Sequence, residues 1–588
     1  MSKKDALVTI DDNSKIGLLK RGAANGFLQS QYKLAQLYIE GQEIEQNYNE
    51  AISLLKKASS RGLPEAQYAL GKIYYAGIVT KEDFEEARKL FEEGAMQDNP
   101  GCQHMLGLIY KNGDGVNQDY KEATKWLEKG AKNKYSESSY TLGKMYLDGE
   151  GVKKDFNNAQ NYLSESAKLR NEKANYILGK IYYDGELVDR NDRIAYKHFT
   201  ESANKKFPEA IFMLGKLYLE GRGLKQSSKE AITLFTEAAN LDSASSQYYL
   251  GDFFLNGKHV EKNVTEAIKF LSASSQNNNG NAQLMLANVY FKGIKGEVKQ
   301  DNKKAMELLT KSAENANSKA QLQLGNKILD DCKMEQEYLD WVWSYLGFHV
   351  KPLCKTAINW IAKAADSDHV DSQVKLANIY LSGKFVEKNQ TKAMEYLAKA
   401  IEHQSPKAFH LLAKTLLEND DINEEKTGDA IQKLQQGAQK GDLDSSYILG
   451  NLYLEGKYVG SKDFNRAFMH LNDGANKEHG NSQYSLAKIY YEGNGIRQNC
   501  AQAVELFKKS VEKKEDVSNE SMFHDAEELI ADIYRSGCSG VEKDIGEAIA
   551  WYKKGDERNN PSAQYKLYEI LDQLEKQEHK VDDYSTEL

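Results

Sequence analysis

Apolar residues recur along this chain at intervals of three and four, in short blocks that return every 36 residues. In the block Ala66-Gln67-Tyr68-Ala69-Leu70-Gly71-Lys72-Ile73-Tyr74-Tyr75, the residues Ala66, Leu70, Ile73 and Tyr74 share one face of a helix. A small residue in the middle of each block marks the register. It stands at Ala35, Gly71, Gly107, Gly143, Gly179, Gly215, Gly251 and Ala287, each 36 residues after the last. The register continues less strictly at Gly325, Ala377, Ala413, Gly450, Ala487 and Ala531, with Tyr568 in a final partial unit. Glycine inside a helix costs about 1 kcal/mol against alanine, so its recurrence predicts that a second helix comes close there. Gly77, past the last apolar residue of its block, ends that first helix.

A second helix follows in each unit and opens on a capping-box pattern. Asn47 precedes Glu50, Asp83 precedes Glu86, Asp119 precedes Glu122, Asn263 precedes Glu266 and Asp544 precedes Glu547. An alanine comes next, then an apolar pair such as Leu90-Phe91 or Trp126-Leu127, then often a small pair such as Gly94-Ala95. Proline checks the register independently. Five of the six prolines (Pro64, Pro100, Pro208, Pro406 and Pro561) lie seven residues before their unit's marker position. That is the first turn of the first helix, where a missing N–H is harmless. The sixth, Pro352, lies where the pattern breaks.

The motif A-x-Y-x-L-G-x-[IL]-Y-x-x-G, then G-V-x-x-D-x-x-x-A and an aromatic-aliphatic pair, resembles the Sel-one-like repeat, a relative of the tetratricopeptide repeat. The fourth unit matches at Tyr140, Leu142, Gly143, Met145, Tyr146, Gly149, Gly151, Val152, Asp155 and Ala159, and departs at Ser138, where the motif has alanine. The resemblance covers roughly residues 28–575. It implies an all-α fold, a right-handed α/α superhelical solenoid of about fourteen helix pairs. It also implies an adaptor that assembles protein complexes, in bacteria often linked to host interaction or signalling. One branch of the family is secreted, cysteine-rich and associated with cell-wall ligands or their hydrolysis; its regular cysteine pair within each repeat is missing here.

Five segments follow from the register: an N-terminal capping helix over 1–27, a repeat array over 28–328, an aromatic-rich insertion over 329–356, a second array over 357–575 and a polar tail over 576–588. The insertion makes the interval from Gly325 to Ala377 52 residues long and carries Trp341 and Trp343. It reads as a lengthened helix or loop on the repeat wall, or as a docking element, since exposed aromatic clusters of this kind usually have a partner. A second, polar insertion around 515–520 reads as a surface loop.

Net charge is −9, and no strongly basic stretch points to a nucleic-acid partner. Ala6 to Ile10 is too short for a signal-peptide core, and no run of about 20 apolar residues suggests a membrane span. The five cysteines (Cys102, Cys332, Cys354, Cys500 and Cys538) are odd in number and show no C-x-x-C spacing. They suggest neither a disulfide framework nor a zinc site, and a reducing, cytoplasmic compartment, with non-classical export or injection left open. The eleven histidines form no H-E-x-x-H and no zinc-spaced cluster, so no catalytic residue, cofactor or metal is expected. Gly113-Asp114-Gly115 and Gly493-Asn494-Gly495 share one repeat position and read as turns.

The surface that could bind proteins or peptides lies on the first helices. The slot of Ala69 holds Met105, Ile177, Met213, Tyr249 and Met285, apolar residues at a position expected to be exposed. They either pack across to the next repeat or line a groove for a partner. One residue past the marker stand Lys144, Lys180 and Lys216, each with an acid four residues on. These are either intrahelical pairs or a charged ladder for a partner. The reading is a non-enzymatic scaffold or adaptor. Its alternative is a secreted or injected cell-wall-associated binding protein or hydrolase.

Overall fold

The computed structural model describes residues 14–79, 81–345, 352–418, 424–512 and 520–586, with side chains left out at 333–353, 520–521, 523 and 577–586. Among the described residues the chain forms thirty helices, which run as fourteen helix pairs with one helix more at either end. Two isolated bridges, Ile294 with Val298 and Cys538 with Val541, stand in loops. None of these helices is long and apolar enough to cross a membrane. The chain divides into two compact units, Met1–Leu308 and Leu309–Leu588.

Within each unit the helices follow the sequence register. Pro64–Ala76 and Phe84–Met96 form one pair, Pro100–Asn112 and Tyr120–Lys132 the next. The five register prolines each open a first helix. Gly77 caps Pro64–Ala76 at φ 61°, a left-handed conformation that glycine adopts without strain. The marker glycines are where the two helices touch. A Cβ on Gly71 would lie 2.6 Å from the ring of Phe91, which is itself fully buried. On Gly143 it would lie 2.7 Å from Leu163.

The expected capping residues cap, but only half of the box forms. The side chains of Asn47, Asp83, Asp119, Asn263 and Asp544 each accept from the amide three residues on, at 3.0–3.1 Å. Their own amides donate instead to carbonyls of the preceding helix, as Asp119 N does to Tyr110 O at 2.8 Å. The cap therefore ties the second helix to the first.

Neighbouring pairs are joined by a buried amide that the apolar pattern does not reveal. Four residues before the marker stand Gln103, Asn175, Gln247, Gln283, Gln373 and Gln483. Each donates to the carbonyl eight residues earlier, at the end of the previous unit's second helix: Gln103 to Ala95, Gln247 to Ala239, Gln373 to Ala365. A helix C-terminus leaves carbonyls without partners, and this side chain serves one of them in unit after unit.

Three sequence expectations change. Residues 329–345 and 352–356 fall in two helices of one pair, so the insertion takes the lengthened-helix reading and is not bounded as a segment of its own. Ser318–Tyr345 is a single 28-residue first helix, and Pro352–Asp366 is its second. The side chains of Trp341 and Trp343 lie outside the described residues, as does most of the 515–520 insertion. Residues 576–586, expected as a polar tail, continue the helix Pro561–Thr586.

The third change concerns cysteine. Cys332 pairs with Cys354 across the long helix pair, with Cα atoms 5.7 Å apart, and Cys500 pairs with Cys538 at 5.9 Å. The expectation of no disulfide is overturned: an odd count without C-x-x-C spacing does not report which cysteines the fold brings together, within the long helix pair for Cys332 and Cys354 and between repeats for Cys500 and Cys538. The loop after each first helix rests on the start of the previous unit's second helix. Gly115 presses there on Phe84, where an added Cβ would lie 2.7 Å from Phe84 Cβ. Cys500 occupies the Phe84 position of its own unit, so Cys538, in the next loop, meets it. Cys500 N also donates to Ser539 O at 3.1 Å. Cys102 alone stays free; burial, with Glu65 adding to it, pushes its thiol up to about 12.

Candidate protein-binding face

The first helices carry three lanes of recurring side chains. The apolar lane, in the slot of Ala69, is largely spent on packing. Met105 and Met213 are buried and belong to the cores of their repeats. Ile177, Tyr249 and Met285 are half-buried and pack on neighbouring core residues. Tyr249 sits among four rings, with centroids 5.3 Å from Phe212, 5.5 Å from Phe235, 5.8 Å from Tyr248 and 6.1 Å from Phe253.

The tyrosine lane, the Y of the motif A-x-Y-x-L-G, stands three residues before the marker and was not read from the sequence as part of the binding face. It runs Tyr32, Tyr68, His104, Tyr140, Tyr176, Phe212 and Tyr248. Three of these rings reach the cap of a later first helix. Tyr68 Oη lies 3.3 Å from Tyr135 Oη, His104 packs on Tyr135 at 5.5 Å, and Tyr176 packs on Phe207 at 5.4 Å. Burial raises the phenol pKa of Tyr68, Tyr140, Tyr176 and Tyr248, with nearby acids such as Glu137 and Glu209 adding to it. These hydroxyls therefore stay protonated. A repeating Tyr at this offset from a repeating Gly was the signal available in the sequence.

The lysine lane is the outermost. Lys72, Lys144 and Lys180 are exposed, and Lys216 is half-buried. Lys72 lies over the Tyr68 ring at 5.4 Å, and Lys216 over Tyr183 at 5.3 Å. Intrahelical pairing occurs at Lys216–Glu220 and at Lys414–Glu418, both 3.8 Å. Such exposed pairs contribute about 0.2–0.5 kcal/mol. At the C-terminal ends of these helices neighbouring repeats lock together. Tyr75 donates to Asp114 at 2.5 Å, Lys111 meets Glu150 at 2.7 Å and Tyr183 donates to Glu220 at 2.9 Å. Arg222 stacks 3.6 Å from the Tyr183 ring centre and bonds Asp192. The pKa of Tyr183 rises to about 12 through burial and its bond to Glu220.

What this face offers a partner is thus a regularly spaced, cation-bearing surface over a tyrosine floor, with its methionines mostly drawn inward.

A family model for the Sel1 repeat matches residues 28–63, 64–99, 100–135, 136–171, 172–207, 208–243, 244–279 and 280–317 without a break. It matches again at 342–369, 370–405, 443–479, 480–514 and 524–555. No curated protein matches the chain. Among solved structures, the chain is similar to c5321, a protective antigen of uropathogenic Escherichia coli strains with an SLR fold. The identity is 23% over 95% of this chain and 97% of that one, with a TM-score of 0.47. A Sel1 repeat protein from Oxalobacter formigenes shares 27% over 52% of this chain and 88% of that one, TM-score 0.39. Yeast Tom70 shares 14% over 93% and 99%, TM-score 0.28.

Proposed function

The chain belongs to the Sel1 repeat family, and on that premise we propose that it is a non-enzymatic scaffold or adaptor that assembles or regulates a protein complex. The repeat fold is of a kind that typically mediates protein–protein contacts. The observation that carries the reading is the lysine lane. Lys144, Lys180 and Lys216 return at the same place on three consecutive first helices, and the residues beneath them are already committed to packing. A partner segment with acidic flanks and an apolar centre fits such a lane, its acids on the lysines and its centre on the accessible parts of Ile177, Tyr249 and Met285. Exposed lysines act mainly on association rate and salt dependence.

The test is affinity capture with the full chain and with Lys144→Glu/Lys180→Glu. The wild type retains a specific protein at near-stoichiometric level. The charge-reversed chain loses it, most clearly at low salt, with an unchanged melting curve. Capture that survives the reversal refutes the lysine lane as the binding face.

One observation favours a second reading, a binding protein that works outside the cytoplasm at a cell wall. The two disulfides remove the cysteine argument for a reducing compartment, since such bonds persist where the surroundings are oxidising.

A further inference from the structure

In the C-terminal unit the tyrosine lane carries a histidine. His410 lies on the helix Pro406–Leu417, half-buried, in the slot that Tyr68, Tyr140 and Tyr447 fill elsewhere. Its Nδ1 is 3.1 Å from Oδ2 of Asp442, the buried N-cap of the next first helix, Leu443–Glu455. Asp444, the second residue of that helix, is half exposed. One ligand atom from each of His410, Asp442 and Asp444 lies within 4.8 Å of the others. A fourth group approaches from a third repeat. Nε2 of His479, the cap of Gly480–Glu492, stands 3.4 Å from Asp444 Oδ1. Its Nδ1 is 2.8 Å from Ser482 Oγ. With the proton on Nδ1 and donated to that hydroxyl, the Nε2 lone pair faces Asp444. This is the supporting bond that metal-binding histidines commonly make.

Asp442 is held for more than a cap. Its contacts from Ser445 N (2.7 Å), Ser445 Oγ (2.6 Å) and His410 all fall on Oδ2, leaving Oδ1 for a further bond. Two carboxylates and one imidazole meet within 4.8 Å here, a second imidazole borders the outer carboxylate at 3.4 Å, and one of the carboxylates is nearly closed off from water. The repeat supplies its own control. In every other unit the four equivalent positions hold at most two His, Asp or Glu residues: Tyr68, Asn99, Gly101 and Tyr135 in one, His104, Tyr135, Glu137 and Asn171 in the next. The ligand types therefore accumulate at one place in the array, on three successive repeats, which is why spacing within a single repeat gave no sign of them.

We propose that His410, Asp442, Asp444 and His479 form a structural site for a divalent transition metal of the zinc class. Zinc bonds of 2.0–2.2 Å place tetrahedral ligand atoms about 3.4 Å apart. His410, Asp442 and Asp444 already stand within 4.8 Å of one another, and His479, which reaches the group through Asp444, joins the set when its ring and the half-exposed Asp444 side chain turn toward the other two. Imidazole nitrogens select zinc-like ions over magnesium and calcium, which take oxygen donors. A site with four protein ligands is closed, so the metal joins three consecutive repeats and does no chemistry of its own. This goes beyond the scaffold reading and does not depend on it.

The probe is Zn²⁺, titrated calorimetrically into the full, oxidised chain, with Mg²⁺ as comparison. The variants are residues that the array already tolerates at these slots: His410→Tyr as at Tyr447, Asp442→Asn as at Asn171, Asp444→Asn as at Asn281 and His479→Asn as at Asn279. One equivalent of Zn²⁺ binds per chain and raises the melting temperature. Each variant keeps the metal-free melting curve and weakens binding on the order of 100-fold. Absence of saturable Zn²⁺ uptake, equal affinity for Mg²⁺, or affinity unchanged in any of the four variants overturns the site.

Discussion

Reduction of the chain should loosen one unit and leave the other untouched. Cys500 and Cys538 are 38 residues apart in sequence, Cys332 and Cys354 22. Closing loops of these lengths removes unfolded-chain entropy worth about 4 and about 3 kcal/mol at 25 °C. Both pairs lie beyond residue 308. The unit Met1–Leu308 holds a single cysteine, the buried Cys102. Repeats transmit stability mainly to their neighbours, so the loss stays local. Hydrogen exchange read segment by segment on the full chain is the assay. Adding reductant should raise the open population of helices Cys500–Glu512 and Glu520–Ser536 on the order of 10³-fold where they open as a whole. Exchange across 28–279 should not change. Cys538→Ser should reproduce the C-terminal effect without reductant and leave Ser318–Asn326 protected. Alkylation supplies the count: the denatured, unreduced chain should label at one cysteine of five, and the folded chain at none, since the Cys102 thiol stays protonated at neutral pH. Five labelled thiols, or exchange indifferent to reductant, would refute both pairs and restore the reducing compartment suggested by the cysteine spacing.

Two more outcomes follow from buried groups in the N-terminal unit. His104 is buried, and burial, with Lys173 adding to it, lowers its pKa from 6.5 to about 4. The unfolded chain takes up the proton first, so this part of the stability is complete above pH 6.5, falls as pH drops toward 4 and falls no further below that; the gap corresponds to about 3 kcal/mol. Urea midpoints for wild type and His104→Tyr should diverge between pH 7.5 and 4.5, and parallel profiles would sink the assignment. Gly215→Ala should destabilise by about 1 kcal/mol, because a Cβ would lie 2.6 Å from the Phe235 ring, which Phe212 and Tyr249 hemmed in at 5.6 and 5.5 Å keep from retreating, and overpacking outweighs the gain in helix propensity. Gly428→Ala, in a helix and with nothing within 4 Å, should stabilise by a similar amount; equal melting shifts of one sign for the two would remove the packing argument.

What the sequence disclosed and what it withheld divide along a physical line. The apolar period, the marker glycines, the prolines and the caps report packing inside one helix pair, and all of them sit at fixed offsets within 36 residues. Reading them was enough for the fold. Contacts between pairs obey a different rule, because they join positions of different units, eight residues apart at Gln103–Ala95 and 67 apart at Tyr68–Tyr135, and their chemistry varies from seam to seam. The same seam holds Phe84 under Gly115 in one place and a disulfide in another. The same lane slot holds a tyrosine seven times and a histidine at 104 and at 410. Gln103, Gln247 and Gln373 carry no apolar signal, yet each bonds a helix end that belongs to another unit. The apolar lane failed as an exposed groove for the same reason: Met105 and Met213 face a neighbour that a single helical wheel does not contain. Lys144 and Lys180 were legible because nothing packs over them. Function in such an array is written in the departures from the repeat, and a departure acquires meaning only when the slots of adjoining repeats are read together. On that rule the place to look for what distinguishes this chain is the stretch 406–482, where four ligand-type side chains replace residues that the other repeats use only for packing and capping.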